Sequence, residues 1–346
     1  MSDLTSVRAS NSLITETDIP KTAVFVGGTD GIGKSALEKL VSKGSSIKVY
    51  IVGRDKSRHS SQLDELRKTN PRAVLIYLQG QISLLAEAQR LANEIASQED
   101  KIDLLFLSAG YLPFTGPQAQ LTMATETSEG LEASLAVAYY SRIVFIMSLL
   151  PKLRDGERSL RSPRVVFILA AGKESTEIFL DDIDLKSPGH FNLGNYAGQV
   201  ATLATLTLRR LSEAPENQDI VFIHSHPGLV STDLMKKSWG DKFNPGQASG
   251  GSELGTFTPF TPGESGERCL FLITSAEFGG KGVAVQSGRE AAQTLNHSVN
   301  GSLFSVDDKL QALQQDELLT KLEEKEASRK IWDHTMRILK STTQIV

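Results

Sequence analysis

The chain has 346 residues, of which 40% are hydrophobic and 23% charged, and its formal net charge is −4. This length allows one large α/β domain or two small ones, with ample material for a core. The slight acidity argues against nucleic acid as the main partner, because nucleic-acid binding usually demands a basic face. The single cysteine, Cys269, excludes an internal disulfide and fits a reducing compartment. We expect it to be buried filler rather than a nucleophile.

Neither the first 20 residues nor the long apolar stretch 131–150 predicts a targeting signal or a membrane span. Residues 1–20 are polar and lack the basic-then-apolar pattern of a signal peptide, which predicts a surface arm on a cytoplasmic protein. The apolar stretch 131–150 is marginal in length for a membrane span, and Glu132, Arg142 and two tyrosines interrupt it. We therefore expect a buried helix there and no membrane partner.

Strand and helix patterns alternate along the chain. Short apolar runs predict strands at 22–26, 47–52, 73–78, 103–107, 164–169 and 219–223, with a seventh candidate at 282–285. Helical spacing predicts helices at 34–40, 60–68, 84–95, 131–150, 196–211 and from 267 to 274, and Pro151 is expected to end the fourth. The alternation predicts a doubly wound (Rossmann) α/β fold with one parallel sheet in the order 3-2-1-4-5-6-7.

Two regions depart from this rhythm. Residues 239–266 are rich in Gly, Pro, Ser and Thr, and follow the sixth strand. A loop of that length is either a functional lid or a flexible segment. Residues 309–339 are charged with helical spacing. We thus divide the chain into an arm (1–20), a Rossmann domain (21–290) with a substrate lid or flexible loop at 235–266, and a C-terminal helical extension (291–346).

A glycine-rich turn, Val26-Gly27-Gly28-Thr29-Asp30-Gly31-Ile32-Gly33, joins the first strand to the first helix. Glycines allow a tight turn and let backbone N–H groups approach a pyrophosphate, which the positive end of the helix favours. An ordinary tight turn is the alternative. The flanking strand and helix favour a dinucleotide site.

The end of the second strand bears on the choice of nucleotide. An acidic residue about 20 positions after the glycines normally bonds the ribose hydroxyls, but Gly53-Arg54 stands there. The planar, charged Arg54 suits a 2′-phosphate and favours NADP(H), with a surface arginine that caps the turn as the rival interpretation. Asp30, within the turn itself, complicates the prediction.

Further segments match one family in sequence order. They are the glycine turn, with Val26 in place of a threonine, and residues 107–110, 129–132, 149–153, 181–183 and 226–232. Over residues 20–290 the chain resembles the short-chain dehydrogenase/reductases, most closely their retinol-dehydrogenase-like branch and reductase-like proteins of fungal secondary-metabolite pathways. The resemblance implies the following cofactor contacts: Gly27, Thr29, Gly31, Ile32, Gly33, Arg54, Gln81, Ser108, Ala109, Gly110, Pro227, Gly228, Val230 and Thr232.

The catalytic positions agree poorly with the family. The resemblance places Tyr196 as the proton donor, whereas Val200, Ala170 and Ala138 stand where the family has its lysine, serine and asparagine. An unaided tyrosine titrates near pH ~10 and is a poor base at neutral pH. Because placed acid/base groups contribute roughly 10²–10⁴-fold, Tyr196 alone cannot run the usual mechanism well.

Other residues are candidates for the missing chemistry, each with a plainer alternative. Lys173 could polarise a carbonyl or lower the pKa of Tyr196, or be solvent-exposed. His190 could act as an acid or be a surface residue, and His226 could hold the loop over the cofactor. The pair Tyr139 and Tyr140 could line a pocket or pack in the core. We select Tyr196 and Lys173 as the catalytic candidates; no metal-ligand spacing and no nucleophile elbow are present.

Three functions remain open from sequence. The first is an NADP(H)-dependent reductase of a carbonyl or enone in a small organic substrate. The second is a cofactor-shaped enzyme of non-redox chemistry, such as cyclisation, isomerisation or elimination. The third is a catalytically idle binding subunit. A homodimer is compatible with all three.

Overall fold

The computed structural model describes residues 4–111, 126–154, 162–234 and 259–345, together with the backbone of 114–115 and 120–121. The sheet has seven strands: β1 (Thr22–Val26), β2 (Ile47–Gly53), β3 (Ala73–Gln79), β4 (Leu104–Leu107), β7 (Arg164–Ile168), β8 (Val221–Ser225) and β9 (Leu303–Val306). They are all parallel and lie in the order β3-β2-β1-β4-β7-β8-β9. A separate two-residue pair, β5 (Phe114–Thr115) and β6 (Gln120–Leu121), is antiparallel. The doubly wound class and the strand order are confirmed.

The prediction that residues 282–285 form the seventh strand is wrong. The sheet ends with β9, whose residues are fully or almost fully buried, and β9 falls in the range assigned to the C-terminal extension. Val283 instead donates its N–H to the Thr274 carbonyl and forms only an isolated bridge with Ser275. Gly282 approaches the Thr274 carbonyl so closely that a Cβ would overlap it. Both segments are short and apolar, so only the tertiary pairing decides between them.

Within the described ranges, nine helices of at least nine residues cover the sheet. They are α1 (Leu4–Ser12), α2 (Gly31–Val41), α3 (Ser60–Thr69), α4 (Leu85–Gln98), α5 (Ala133–Leu153), α6 (Leu193–Ser212), α7 (Pro262–Thr274), α8 (Asp316–Glu324) and α9 (Ala327–Thr342). One of them, α5, is an α-helix interrupted by a π-helical turn. Pro151 does not end α5: the Arg154 N–H still bonds the Leu150 carbonyl, because a proline near the last turn removes only one helical hydrogen bond.

Two predicted segments differ from the structure at their edges. The loop expected to reach residue 266 ends at Thr261, where a capping box with Glu264 starts α7; residues 235–258 lie outside the described residues. The N-terminal arm contains α1, which packs on α7. Val7 is fully buried, and the Asn11 amide donates to the Glu267 carboxylate at 2.7 Å. Residues of the arm therefore form a helix that packs on the domain and not an extended surface segment.

Each face of the sheet has its own core. Val24 and Val26 point to the side covered by α4, α5, α6 and α9, whereas Ala23 and Phe25 point to the side covered by α2, α3 and α7. The helix α5 is long and apolar enough to cross a membrane, but 83% of its most apolar window is buried inside the molecule. Its apolarity is explained by core packing, and the prediction of a buried helix is confirmed.

The C-terminal helix α9 closes the first core. The middle of α5 is a π-helical turn, Ala136–Tyr140, that carries two buried tyrosines. The Tyr139 hydroxyl lies 2.7 Å from both Thr207 and Thr335, and the Tyr140 hydroxyl donates to Asp184. These tyrosines belong to the core and not to a substrate pocket, and α9 supplies a partner to each: Thr335 to Tyr139 and His334 to Tyr140.

We expect Leu339→Ala, which empties a fully buried position of α9, to lower the free energy of unfolding by about 2–5 kcal/mol. The neighbouring Lys340→Ala, at an exposed position, should change it by less than about 0.5 kcal/mol. Chemical denaturation measures both. Equal, small effects would show that α9 is not part of the folded core.

Candidate functional site

The glycine turn at the carboxyl end of β1 is built without room for side chains. Gly27 has φ +105°, and a Cβ there would lie 2.5 Å from the Ala109 backbone nitrogen. A Cβ on Gly33 would overlap the Gly27 carbonyl and the Ser108 hydroxyl. The N–H groups of Ser108 and Ala109 both donate to the Val26 carbonyl at 2.9 Å. The turns after β1 and β4 are therefore joined where a doubly wound sheet binds its ligand.

The helix that follows the turn starts with a capped N-terminus. Asp30 is the N-cap of α2, and its carboxylate accepts the Gly31 N–H at 2.8 Å. This gives Asp30 a structural role within the turn. Gly31 has φ +52°, and a Cβ there would contact the Thr232 methyl at 3.5 Å. The loop after β8 thus reaches over the start of α2.

That loop is fixed at two points. The His226 N–H donates to the Val306 carbonyl at 2.8 Å, and Val230 forms a bridge with Phe260. Gly228, with φ +72°, turns the chain between them. The fold accordingly gathers the predicted residues of the turns after β1, β4 and β8 at one edge of the sheet: Gly27, Gly31, Gly33, Ser108, Ala109, Gly110, Pro227, Gly228, Val230 and Thr232.

The other predicted nucleotide contacts lie beyond β2 and β3. Arg54 is exposed directly after β2, next to Gly53. The exposed Gln81 follows β3, and its amide donates to the Ser83 hydroxyl at 2.8 Å. The Gly80 N–H bonds the Gly53 carbonyl at 3.0 Å, which holds the two loops side by side. Arg54 and Gln81 therefore flank one end of the edge described above.

Tyr196 lies buried in the first turns of α6, where its ring meets the Phe191 ring edge-on at 5.7 Å between centroids. Burial raises the pKa of Tyr196 well above its ordinary value, and the Glu132 charge raises it further, whereas Ser134 and Arg142 lower it. At neutral pH the hydroxyl keeps its proton. Tyr196 is therefore suited to donate a proton or hydrogen bond and not to act as a base.

Two polar groups near Tyr196 were missed as functional candidates. Ser134 and Arg142 lie four residues before and after Ala138 on α5, so all three share one helix stripe. The Ser134 hydroxyl donates to the Glu132 carboxylate. From sequence, Arg142 served only as an interruption of an apolar run. The spacing of four on either side of Ala138 was the available signal.

Arg142 is a fully buried cation that connects two strand ends. Its guanidinium donates to the carbonyls of Leu107 at 3.2 Å, Ala109 at 2.6 Å and Ile168 at 2.7 Å. Burial lowers the pKa of Arg142 to about 9, and the proximity of Tyr196 opposes that shift. The carboxyl ends of β4 and β7 thus carry a positive charge next to the tyrosine.

Lys173 is exposed on the turn after β7. The pKa of His226 is lowered mainly by burial, and the positive charge of Lys173 lowers it further. The groups that most shift the pKa of Tyr196 do not include Lys173. The structure thus associates Lys173 with the loop after β8.

A buried network fixes the turn that contains Ala170. The Ala170 N–H donates to Nε2 of His224 at 3.2 Å, and Nδ1 of the same ring lies 2.8 Å from the Thr205 hydroxyl. Burial lowers the pKa of His224 to about 3, so the ring is neutral. Thr205 donates in turn to Glu174 at 2.6 Å, and Gln315 of the C-terminal extension donates to the same carboxylate. The network therefore fixes the backbone of the turn at Ala170.

His190 belongs to an oriented carboxylate–imidazole pair. Its Nδ1 lies 2.7 Å from the Asp182 carboxylate, which also accepts the N–H groups of Lys186 and Ser187. The ring stacks on Phe179 at 3.9 Å between centroids. The carboxylate thus fixes the orientation of the imidazole through Nδ1.

Burial raises the pKa of the Cys269 thiol to about 12, which excludes a thiolate nucleophile at neutral pH. The interpretation of Cys269 as buried filler is confirmed.

Comparison with known proteins identifies the family. The model of the short chain dehydrogenases matches residues 21–172. The NmrA-like family domain-containing oxidoreductase notO of Aspergillus sp. (strain MF297-2) is 30% identical over 348 residues, covering 99% of this chain and 97% of that protein. Oxidoreductase AN1596 of Emericella nidulans is also 30% identical, with 98% of each chain covered. The chain belongs to the short-chain dehydrogenase family.

Solved structures agree on the fold. The NADPH-bound carbonyl reductase from chicken fatty liver superposes with a TM-score of 0.54 at 16% identity, covering 85% of this chain and 94% of that one. Levodione reductase gives a TM-score of 0.53 at 17% identity, covering 75% and 91%.

We expect Gly31→Val to abolish nucleotide binding without unfolding the chain, because a branched side chain at φ +52° strains the turn and crowds Thr232. Gly44→Val is the matched control, since Gly44 has φ +71° and open space around it. Calorimetric titration with NADPH and circular dichroism measure the two effects. Undiminished binding by Gly31→Val would refute the location of the site.

Proposed function

We propose that the chain binds NADP(H) across the carboxyl ends of β1 and β4 and reduces a carbonyl or enone of a small organic substrate. The observation that carries this proposal is the contact of Gly27 and Gly33 with the turn after β4, which leaves no space for a Cβ. Such close packing is what a pyrophosphate site beside a helix N-terminus requires. The NADPH-bound carbonyl reductase with the same fold supports the choice of cofactor.

The residues present fit such a cofactor. In this proposal the pyrophosphate is held by the turn after β1, through Gly27, Thr29, Gly31, Ile32 and Gly33. The adenosine end is bound by Arg54 and Gln81. The nicotinamide end is bound by the turns after β4 and β8, through Ser108, Ala109, Gly110, Pro227, Gly228, Val230 and Thr232. The bound cofactor supplies the hydride. The protein supplies orientation, a polar group at the carbonyl oxygen and the proton.

Tyr196 is the proposed proton donor. Because it is protonated at neutral pH, its hydroxyl can bond the carbonyl oxygen and transfer a proton to it as that oxygen gains charge. The resulting phenolate faces Arg142 and Ser134, which both favour the charged form of Tyr196. Arg142 thereby provides a positive charge on α5, whereas the family has a lysine at the position of Val200. Lys173 is the second candidate for polarising the carbonyl, from the exposed turn.

A non-redox function is favoured by one specific observation. The Asp182–His190 pair precedes α6, and Phe191, next to His190, contacts the Tyr196 ring. An oriented imidazole on the segment that leads into the helix of a protonated tyrosine offers a candidate base and a candidate acid on neighbouring segments, which suits isomerisation or elimination. In that case the nucleotide site would serve structure alone.

We expect Arg54→Ala to weaken NADPH binding about tenfold or more and to leave NADH binding within about twofold, because a charge-assisted bond to phosphate is lost. Arg67→Ala, which removes an exposed arginine of α3 paired with Asp64, is the control. Calorimetry with both cofactors provides the measurement. Equal affinities of the unaltered protein for NADPH and NADH would refute the preference.

If the protein reduces a carbonyl, Tyr196→Phe or Lys173→Ala should lower kcat at least tenfold, which corresponds to about 1.4 kcal/mol of transition-state stabilisation. Lys68→Ala, at an exposed position paired with Glu65, should leave kcat unchanged. The assay follows NADPH absorbance and product mass with quinones, α-diketones and enones. Since the pKa of Tyr196 is raised, its ionisation should not reduce the rate below the pH at which an ordinary tyrosine ionises.

Full activity in both variants while NADPH is consumed would exclude this proton-donor assignment. Product formation without loss of NADPH absorbance would replace the reductase with the non-redox function.

A further inference from the structure

Tyr77 of β3 places its hydroxyl at the end of β2. The side chain lies on the side of the sheet covered by α2 and α3 and is 8% exposed. A Cβ built on Gly53 would overlap the Tyr77 hydroxyl, and the Thr29 methyl lies 2.9 Å from the same point. The tyrosine oxygen therefore fills the space in which a side chain at position 53 would begin.

Among the described residues, no acceptor pairs with the proton of this hydroxyl. Its oxygen is buried and makes no hydrogen bond of normal geometry with any described residue. Burial raises the pKa of Tyr77, and the nearby Asp55 backbone N–H and the Arg54 charge lower it. A backbone N–H can only donate, so it leaves the tyrosine proton unpaired. Buried polar groups are almost always paired, and an exception calls for an explanation such as a ligand.

The end of β2 is the position at which dinucleotide-binding folds discriminate between NAD(H) and NADP(H). A carboxylate at the end of the second strand bonds the ribose hydroxyls and excludes a 2′-phosphate. Gly53 contributes no side chain, and the Asp55 carboxylate is engaged by the N–H groups of Ser57 and Arg58 and by the Ser57 hydroxyl at 2.6 Å. What remains is a neutral donor, Tyr77, beside the exposed Arg54. A phosphate dianion is an acceptor that matches both.

We propose that Tyr77 is a specificity-determining residue whose hydroxyl donates a hydrogen bond to the 2′-phosphate of NADP(H), with Arg54 as its charged partner. This inference rests on the proposed nucleotide site. The choice between NADP(H) and NAD(H) would then depend on a residue of the neighbouring strand β3 as well as on the end of β2, the only place to which the sequence pattern points. This role of Tyr77 also accounts for Gly53, because any larger residue would displace the tyrosine hydroxyl.

The test compares adenosine 2′,5′-bisphosphate with AMP, which differ only in the 2′-phosphate. We expect Tyr77→Phe to weaken calorimetric binding of the bisphosphate about tenfold and to leave AMP within about twofold, because only the phosphate contact is lost. Tyr50→Phe is the matched control: it removes a buried hydroxyl of β2 that bonds Glu99 at 2.6 Å on the opposite side of the sheet. The control should leave both affinities unchanged.

Thermal unfolding separates recognition from structure. Tyr77→Phe removes an unpaired buried hydroxyl, so the Tm of the nucleotide-free variant should equal or exceed that of the unaltered protein. Added NADPH should raise the Tm less in the variant. A lower Tm with both nucleotides weakened alike would make Tyr77 merely structural, and unchanged affinity for both would also overturn the inference. Absence of binding to NADPH and to the bisphosphate by the unaltered protein would overturn the proposed function itself.

Discussion

The site depends on one steric constraint: at the carboxyl ends of β1 and β4, backbone approaches backbone with no side chain between them. Gly27 packs directly against the backbone of Ala109, and Gly33, in the first turn of α2, packs directly against the Gly27 carbonyl. Any Cβ there would push α2 away from the sheet. The same approach aims the start of α2 at the edge where a nucleotide lies in this class of fold. The loop after β8 then covers that edge through Thr232.

Around this constraint, the described residues place polar groups next to Tyr196 and at the end of β2. The stripe of α5 that carries Ala138 has a hydroxyl one turn earlier, at Ser134, and a buried cation one turn later, at Arg142. The cation is held by three strand-end carbonyls instead of a carboxylate, so its charge is available to Tyr196. At the other end of the site, the hydroxyl of Tyr77 on β3 lies where Gly53 of β2 has no side chain. At the end of β2 the neighbouring strand thus provides the polar group, whereas on α5 the polar groups lie on the same helix as Ala138.

The C-terminal segment is part of the core and not an accessory. The strand β9 completes the sheet, Gln315 joins the network that fixes the Ala170 turn, and Thr335 pairs with Tyr139 of α5. These contacts connect the last quarter of the chain to α5 and to the turn after β7. Changes far from the site along the sequence can therefore alter the geometry around Tyr196.

The sequence by itself determined the fold class, the order of the strands and the location of the glycine turn, because these follow from local periodicity and from residue types that permit few backbone conformations. It also shows valine at position 200 and alanine at positions 170 and 138. Tertiary structure alone decided that 303–306 and not 282–285 completes the sheet, that Tyr139 and Tyr140 pack in the core, that Arg142 lies near Tyr196, and that the Tyr77 hydroxyl lies next to Gly53. Those outcomes rest on contacts between residues far apart in the chain, and a buried arginine or tyrosine has no local signature that distinguishes core packing from function.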